Sequence, residues 1–379
     1  MPALKPPPET SPDPVVSPPE HNKLPGTGLV ILAGVVIVCA GLKTVSAIVA
    51  PTFLVLTLVV TAQPLRTLLV RKGAPKALAS VVVLLTVYAL LVVVLGSAVW
   101  TLARLVRILP DYASQFTDLY NQALAQLARF GVDTSTLSQA ASSFNLSSFA
   151  GVAQSLLNTV TSGLSLLALM LAMVFFLTFD GSDIQDRIKA IRASRPQVAD
   201  ALTDFAQSVR KYWVVTTVFG LIVAVVDVIA LFIIGVPLAL TWGVLAFVTN
   251  YIPNIGFLLG LVPPTLIALL DGGPGAALAV IICFTAVNVI IQTLIQPRFT
   301  GDAVGITATI AFLSLIFWAF LLGALGALLA VPATLLVKSL LVDHSPDSRW
   351  LGSLLNSPPP KVQPTGFRRR PRTAGATAK

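Results

Sequence analysis

Residues 235–270 read GVPLALTWGVLAFVTNYIPNIGFLLGLVPPTLIALL, an apolar stretch interrupted near its middle by Asn250, Pro253, Asn254 and Gly256. Proline removes a backbone donor and breaks the helical hydrogen-bond ladder, and glycine lets the chain turn or a neighbour approach closely. The 36 residues of the stretch are too many for one untilted crossing of ~20 residues and few for two crossings. We therefore predict two half-helices that fold back at the interruption as a re-entrant hairpin.

A second apolar stretch, residues 305–341, resembles the first at a constant offset of 70 positions, so that Gly326 aligns with Gly256. Non-helical backbone at membrane depth survives only where protein or a water-filled cavity covers it, and paired interrupted segments indicate the binding site of a transporter. We predict repeated hairpins of opposite orientation, although two long kinked crossings also fit the sequence. The residues predicted to shape the hairpins are Pro253, Gly256, Gly323, Gly326 and Pro332.

The composition indicates a membrane protein. The chain has 379 residues, of which 55% are hydrophobic and only 11% are charged, whereas soluble domains carry about 25% charged residues. No run of short alternating strands favours a β-barrel, so we predict an all-α polytopic protein with about six full spans plus the two hairpins, or eight spans if the hairpins cross. The predicted full spans are residues 28–42, 46–62, 78–104, 158–180, 209–234 and 275–296.

The charges predict the orientation of the spans. Lysine and arginine are concentrated in the loops at 62–77 and 181–211, and the positive-inside rule places such loops in the cytoplasm. Both termini are then cytoplasmic. We predict a disordered proline-rich arm over 1–26, a transmembrane domain over 27–342, and a disordered basic tail over 343–379 that rests on lipid headgroups.

Residues 105–157 are then extracytoplasmic. An amphipathic helix is predicted near residues 116–130, because apolar side chains recur there at helical spacing. It either lies on the outer membrane surface, packs on a neighbouring subunit, or forms a cap that captures solute.

Polar side chains inside the spans are the candidate binding residues. Asn250 and Asn254 flank the break in the first hairpin, and Asn288, Gln292 and Gln296 recur every four residues, with Thr285 extending that stripe. Amides both donate and accept hydrogen bonds, which suits a hydroxyl-bearing solute. The alternative is that these amides only bond helix to helix.

Asp227 lies inside the predicted span 209–234. A carboxylate at mid-membrane costs roughly 2.5–3.5 kcal/mol on insertion scales, so it faces a cavity or carries a proton. Proton coupling and a hydrogen-bonded structural acid are the two interpretations.

Other classes of function find no support in the residues. The two cysteines, Cys39 and Cys283, lie in apolar runs, and the two histidines have no second ligand at metal spacing, so we expect neither metal nor cofactor. The net charge of +9 lies beside the spans and in the tail, where membrane topology explains it without nucleic acid. The chain has no phosphate-binding loop and no catalytic triad pattern, so we do not expect an enzyme.

The sequence resembles the autoinducer-2 exporter family of bacterial membrane proteins. The resemblance spans about 28–342 and rests on IPNIG at 252–256, on QPR followed by glycine at 296–301, and on FLLGALGALLAVPATLLVKSLL at 320–341. One departure is the absence of a proline usual shortly after Val-Gly, where VGITAT stands. The family implies export of small solutes by a homo-oligomer in the bacterial cell membrane, with members that differ in substrate.

Three functions are therefore open. The first is a secondary transporter exporting a small polar solute such as autoinducer-2 or a related metabolite, with possible proton coupling through Asp227. The second is a cation–proton antiporter in which Asp227 is central and the amides are structural. The third is a non-transporting scaffold whose proline-rich arms recruit partners.

Overall fold

The computed structural model describes residues 27–108, 112–129, 146–181, 184–253, 255–296 and 306–343. Within these ranges the chain forms helices and no strand, which confirms the predicted all-α membrane protein. The two predicted disordered arms fall almost wholly outside the described residues. The helices are α1 (Thr27–Thr44), α2 (Ser46–Arg71), α3 (Lys76–Leu91), α4 (Ser97–Ile108), α5 (Ala113–Arg129), α6 (Leu146–Asp180), α7 (Ile184–Ser194), α8 (Pro196–Ile234), α9 (Ala239–Thr249), α10 (Gly256–Asn288), α11 (Ala308–Leu322), α12 (Ala324–Leu328) and α13 (Ala330–Lys338). Short π-helical segments, Val92–Gly96, Val289–Ile295 and Ser339–Asp343, continue α3, α10 and α13.

The chain divides into two compact units, of which the first ends at Thr44 and the second begins at Val45. Helix α1, in the first unit, has 18 residues and is apolar apart from Lys43 in its last turn and the threonines at its two ends. All of the features described below belong to the second unit.

Five helical stretches among the described residues are long and apolar enough to cross a membrane. They are Ser46–Arg71, Lys76–Arg104, Leu157–Asp180, Pro196–Ile234 and Gly256–Ile295. Each covers one of the predicted spans to within one residue, and the remaining prediction, 28–42, coincides with the shorter α1. The helices run past the predicted bounds because a helical ladder continues into polar sequence wherever nothing breaks it.

Helix α8 is the central helix of the second unit, and one of its faces is buried while the other is apolar and exposed. The exposed face carries Val214, Val218, Leu221, Val225, Ile229 and Phe232. The buried face carries Val209, Tyr212, Trp213, Thr216, Phe219, Val223, Asp227 and Leu231. The spacing of both sets follows the helical repeat, so protein packs on one side of α8 and the other side is an exposed apolar surface.

The first interrupted stretch forms two helical arms, α9 and α10, that pack against each other. It begins after Gly235, whose φ of 87° is left-handed and ends α8 at little cost because glycine lacks a Cβ. The helix stops at Thr249 and resumes at Gly256. A Cβ on Gly256 would collide with the carbonyl oxygen of Thr249, so only glycine lets the two arms meet this closely at the tip.

The second arm of this hairpin continues almost directly into the predicted span 275–296. The break between them is Gly273, with φ of 74° and ψ of −172°, after which the helix runs on to Asn288. The sequence predicted a hairpin and a separate span here, whereas the structure joins them through one kinked residue.

The second interrupted stretch has the same design. Helix α11 ends at Gly323, whose φ is 70°, and the chain returns through α12 and α13. Both returning helices pack against α11. A Cβ on Gly326 would collide with the carbonyl oxygen of Trp318, the same close approach that Gly256 makes in the first hairpin. This shared contact supports the internal repeat inferred from the offset of 70.

The two hairpins start from opposite ends of α8. The base of the first hairpin packs at the carboxyl end of that helix, where Leu231, Val236 and Ala268 share one buried cluster. The second hairpin ends at the amino end, where the Ser339 hydroxyl donates a hydrogen bond of 2.6 Å to the Ala201 carbonyl. The bases of the two interrupted stretches therefore lie at opposite ends of α8.

The tips of both hairpins lie near the middle of α8. Tyr251, at the first tip, and Leu328, near the second, line the same cavity as Trp213. At 1.5 Å rise per residue, Trp213 lies about 18 Å along the helix from Ala201 and about 27 Å from Leu231. Each hairpin thus reaches roughly half-way along the helix from its own end.

Two shorter helices flank the spans. Helix α5 confirms that the predicted amphipathic segment is helical, and Tyr112 just before it packs against the buried cluster at the base of the first hairpin. Helix α7 lies in the basic loop predicted to be cytoplasmic. There the Lys189 ammonium, 2.8 Å from Asp186, lowers the pKa of that carboxyl through a hydrogen bond and its positive charge.

Candidate functional site

The tip of the first hairpin is fastened to the buried face of α8 by hydrogen bonds. Tyr212 Oη donates to the carbonyl of Tyr251 at 3.2 Å, and the Tyr251 hydroxyl shares a hydrogen bond of 2.9 Å with the Thr217 hydroxyl. The Asn250 side-chain amide donates to the Thr216 carbonyl at 3.5 Å. The polar groups that the break in the helix frees are thereby bonded to protein, as non-helical backbone at membrane depth requires.

Two of the predicted binding residues come together at this tip. The Gln292 amide donates a hydrogen bond to the side-chain oxygen of Asn250. Gln292 lies in the π-helical segment Val289–Ile295, and such segments are frequent at functional sites because they disturb the regular helical ladder. The structure thus joins the break in α9–α10 to the polar stripe that follows α10.

Gly220 completes this contact and was missed by the sequence analysis. A Cβ at Gly220 would collide with the side-chain amide of Asn250, so the lack of a side chain on α8 makes room for the amide. A single glycine in an apolar helix gave no signal, since only the packing of another helix shows why it is there.

The remaining residues of the predicted stripe differ in their burial. Asn288 is buried, its amide donates to the Phe284 carbonyl at 3.3 Å, and its side-chain oxygen has no hydrogen-bond partner among the described residues. Gln296 is half-buried. Thr285, expected to extend the stripe, is exposed instead. Asn254 lies outside the described residues.

Asp227 is fully buried on α8, with an exposed fraction of 0%. Neither of its carboxylate oxygens has a hydrogen-bond partner among the described residues. No hydrogen bond in that part of the chain joins it to the Asn250–Gln292 pair, so these two polar features are separate. A buried carboxylate without a partner is costly while ionised.

The second hairpin carries a chain of hydroxyl bonds that the sequence analysis also missed. The Trp318 indole donates to the Thr334 hydroxyl at 2.9 Å, and that hydroxyl donates to the Ser314 hydroxyl at 2.8 Å. The chain bridges α11 to α13. The four-residue spacing of Ser314 and Trp318 was the only available signal, and isolated hydroxyls are common in membrane helices. Pro332, predicted to shape this hairpin, is buried in the first turn of α13, where a missing N–H costs little.

The hairpin tips converge on a small apolar cavity. Leucines from α2 and α3 line it together with Trp213, Tyr251 and Leu328. Its volume is about 20 Å³, which accommodates roughly one water molecule. The cavity is therefore too small for a metabolite. Among the described residues, no group of three histidine, cysteine or acidic side chains could hold a metal ion.

Comparison with known proteins gives a consistent result. A sequence model of the family described as AI-2E family transporter matches residues 29–344. The AI-2 transport protein TqsA of Escherichia coli K12 is 33% identical over 319 residues, which is 83% of this chain and 92% of that protein. The transport protein YhhT of the same strain, named as putative, is 27% identical over 82% of this chain and 88% of its own length. A similarly named protein of Mycobacterium tuberculosis, MT0215, is 30% identical over 80% of this chain and 85% of its own length.

Proposed function

Because the chain belongs to the AI-2E family of transporters, we propose that it is a secondary transporter that exports a small, polar, uncharged solute. AI-2, which the name of one relative gives as its cargo, is the first candidate. The observation that carries the proposal is the convergence of two hairpin tips, whose bases lie at opposite ends of α8, on one small cavity. A transporter needs a barrier near the middle of the membrane. Movement of one hairpin would open this barrier to the side of the membrane from which that hairpin enters.

The amides at the first tip are the proposed solute-binding groups. Asn250 and Gln292 bond to each other in the closed form, and each would exchange that bond for one to a solute hydroxyl or carbonyl. Asn288 supports the same role, because its buried side-chain oxygen is an acceptor with no described partner. We keep Asn254 in the proposed set because it is close in sequence to the tip, and Gln296 because it continues the stripe of Asn288 and Gln292.

Asp227 is the proposed coupling group. Its burial without a hydrogen-bond partner favours the neutral acid, and a carboxyl that changes protonation when the pathway opens would link solute flux to a proton gradient. Coupling of this kind needs a single carboxyl that water reaches in one conformation and not in the other.

The proposed setting is the inner membrane of a bacterium, with both termini in the cytoplasm. The basic residues of the loop around α7 support this orientation, and they are suited to contact anionic lipid headgroups. We also propose a homo-oligomer, which the family resemblance implies; measuring the mass of the protein in lipid nanodiscs tests it.

Transport assays in proteoliposomes test the function directly. Purified protein is reconstituted, and efflux of AI-2 and of a panel of neutral polyols and sugars is measured with and without an imposed pH gradient. We expect saturable efflux of at least one neutral solute, accelerated by the gradient. Flux no faster than in protein-free liposomes for every solute would overturn the proposal.

Asp227 also favours a second candidate, a cation–proton antiporter. In such proteins a buried carboxyl releases its proton and binds a monovalent cation in its place, so the negative charge of the carboxylate is neutralised in both states. The two candidates differ in cargo: the antiporter acidifies or alkalinises vesicles when sodium or potassium is added, and the exporter does not. Membership of a transporter family argues against the scaffold interpretation.

A further inference from the structure

We propose that the indole of Trp213 is a second solute-binding group, which donates a hydrogen bond to an acceptor oxygen of a neutral solute while its ring covers an apolar face of that solute. This inference rests on the proposed transport function and names a residue of the same pathway. Nothing in the sequence marked Trp213, because a tryptophan in an apolar helix is ordinary.

Trp213 lies where the two hairpins meet. It is on the buried face of α8, is only 4% exposed, and lines the cavity together with Tyr251 and Leu328. Its ring centroid is 5.6 Å from that of Tyr251, with the two planes inclined by 45°. A side chain from α8 and one from each hairpin tip therefore share a single small space, and any solute that passes between the tips meets the indole.

The Trp213 indole N–H is buried and has no hydrogen-bond partner among the described residues. Two other tryptophans of the second unit are bonded: Trp242 donates to the Pro237 carbonyl at 2.9 Å, and Trp318 donates to Thr334 at 2.9 Å. Leaving a buried donor unbonded costs about 1–3 kcal/mol. A solute oxygen that accepts a hydrogen bond from this N–H would remove that cost. Trp213 is therefore suited to bind a ligand and not only to pack against its neighbours.

The chemistry of the cavity defines the class of ligand. Its walls are leucine, valine and aromatic side chains without a charged group, so an ion would be desolvated there without compensation. The lining of the cavity is wholly apolar, so the Trp213 N–H contributes no surface to it in this conformation. A neutral molecule with one apolar face and a carbonyl or hydroxyl oxygen matches the aromatic pair and, once the tips have separated, the unbonded N–H. Because the closed cavity is smaller than such a molecule, the tips must separate before it binds.

The test compares Trp213→Phe with the matched control Trp242→Phe. Phenylalanine keeps an aromatic ring and removes the N–H, which in Trp242 is bonded to protein. AI-2 efflux from proteoliposomes is measured across concentrations.

We expect Trp213→Phe to raise the KM about three- to tenfold, since a hydrogen bond contributes about 0.5–1.5 kcal/mol, with little change in kcat. We expect the KM of Trp242→Phe to stay within about twofold of the starting protein. Equal KM values for Trp213→Phe and the starting protein would overturn the inference while leaving the transport function intact.

A second measurement does not depend on the identity of the solute. In a background where Cys39 and Cys283 are replaced by serine, Trp213→Cys and Trp242→Cys are treated in vesicles with a small neutral thiosulfonate. A solute-contacting position is reached by water in at least one conformation, so we expect Trp213→Cys to react and Trp242→Cys, which is at 0% exposure, to react far more slowly. If Trp213→Cys is as unreactive as Trp242→Cys, the inference is wrong whatever the transported solute is. Absence of transport by the starting protein would instead count against the proposed function.

Discussion

Asn250, directly after α9, and Asp227, in α8, are both polar residues in apolar stretches, yet their surroundings differ. The amide of Asn250 is bonded to Gln292 and to the Thr216 carbonyl, so its desolvation is offset by protein partners. Asp227 is fully buried, whereas Asn250 is half-buried, and Asp227 has no such partner among the described residues. A satisfied amide holds a structure in place until a competing ligand arrives, whereas an unsatisfied carboxyl responds to a proton. The two residues therefore invite different experiments.

Replacing Asp227 by asparagine removes the titratable group and keeps the shape of the side chain. If Asp227 couples solute flux to protons, Asp227→Asn loses the acceleration by an imposed pH gradient and keeps downhill efflux of a neutral solute. The measurement is efflux from proteoliposomes with and without the gradient. Asp271→Asn, at an exposed position, is the control and should behave like the starting protein. Gradient-driven flux that persists in Asp227→Asn excludes this residue as the coupling group.

The Asn250–Gln292 bond predicts coupled effects of substitution. Asn250→Ala, Gln292→Ala and the double variant form a cycle in which thermal stability in detergent is measured. We expect a coupling free energy of about 0.5–3 kcal/mol between the two positions, the range found for residues in direct contact. The exposed Thr293→Ala, paired with Asn250→Ala, should give additive effects. Additivity in the Asn250–Gln292 cycle as well would show that the bond contributes nothing to the closed tip.

The sequence allowed prediction of the candidate residues that differ chemically from their surroundings. Asn250, Asn288, Gln292 and Asp227 are polar in apolar helices, and the structure places all of them inward. Gly220 was missed because its role is to leave space, which becomes visible only when the Asn250 amide is packed against it. The direction of Thr285 could not be foreseen either, because a helical face is predicted only to within about one residue position.

The breaks in the helices were predictable because proline and glycine mark them directly. Gly256 and Gly326 align in sequence and make the same contact with a carbonyl of the opposite arm. The ends of the helices were less predictable. Helix α10 continues through Gly273 into the next span, since a glycine accommodates the kink without a loop. Apolar composition alone cannot distinguish a kink from a turn.

Adding a methyl group at either hairpin glycine should separate the arms. Gly256→Ala and Gly326→Ala each place a Cβ against backbone of the opposite arm, and overpacking of this kind costs about 1–3 kcal/mol. We expect both variants to lower the midpoint of thermal unfolding in detergent and to slow efflux. Gly275→Ala, where a Cβ meets nothing within 4 Å, is the matched control. Unfolding midpoints equal to that of the control would contradict the close approach of the arms.

At the scale of the whole molecule, the second unit has a central helix with a hairpin entering from each end. The Ser339–Ala201 bond fixes one base, and the buried cluster around Leu231 fixes the other. The two tips meet near the middle of the central helix, so together they form a barrier between its two ends. Moving either tip would then open the cavity to one side, which is the requirement for alternating access.

The most direct test of this arrangement is cross-linking between hairpins in a background lacking Cys39 and Cys283. Tyr251→Cys with Leu328→Cys places thiols at the two tips, and Leu240→Cys with Leu341→Cys places them at the two bases, where both side chains are exposed. Membranes are treated with a short bifunctional maleimide, and a protease site introduced between residues 297 and 305 reveals whether the two halves stay joined. The account predicts efficient cross-linking of the tip pair and none of the base pair. Cross-linking of the base pair without the tip pair would show that the hairpins enter from the same side, and would contradict it.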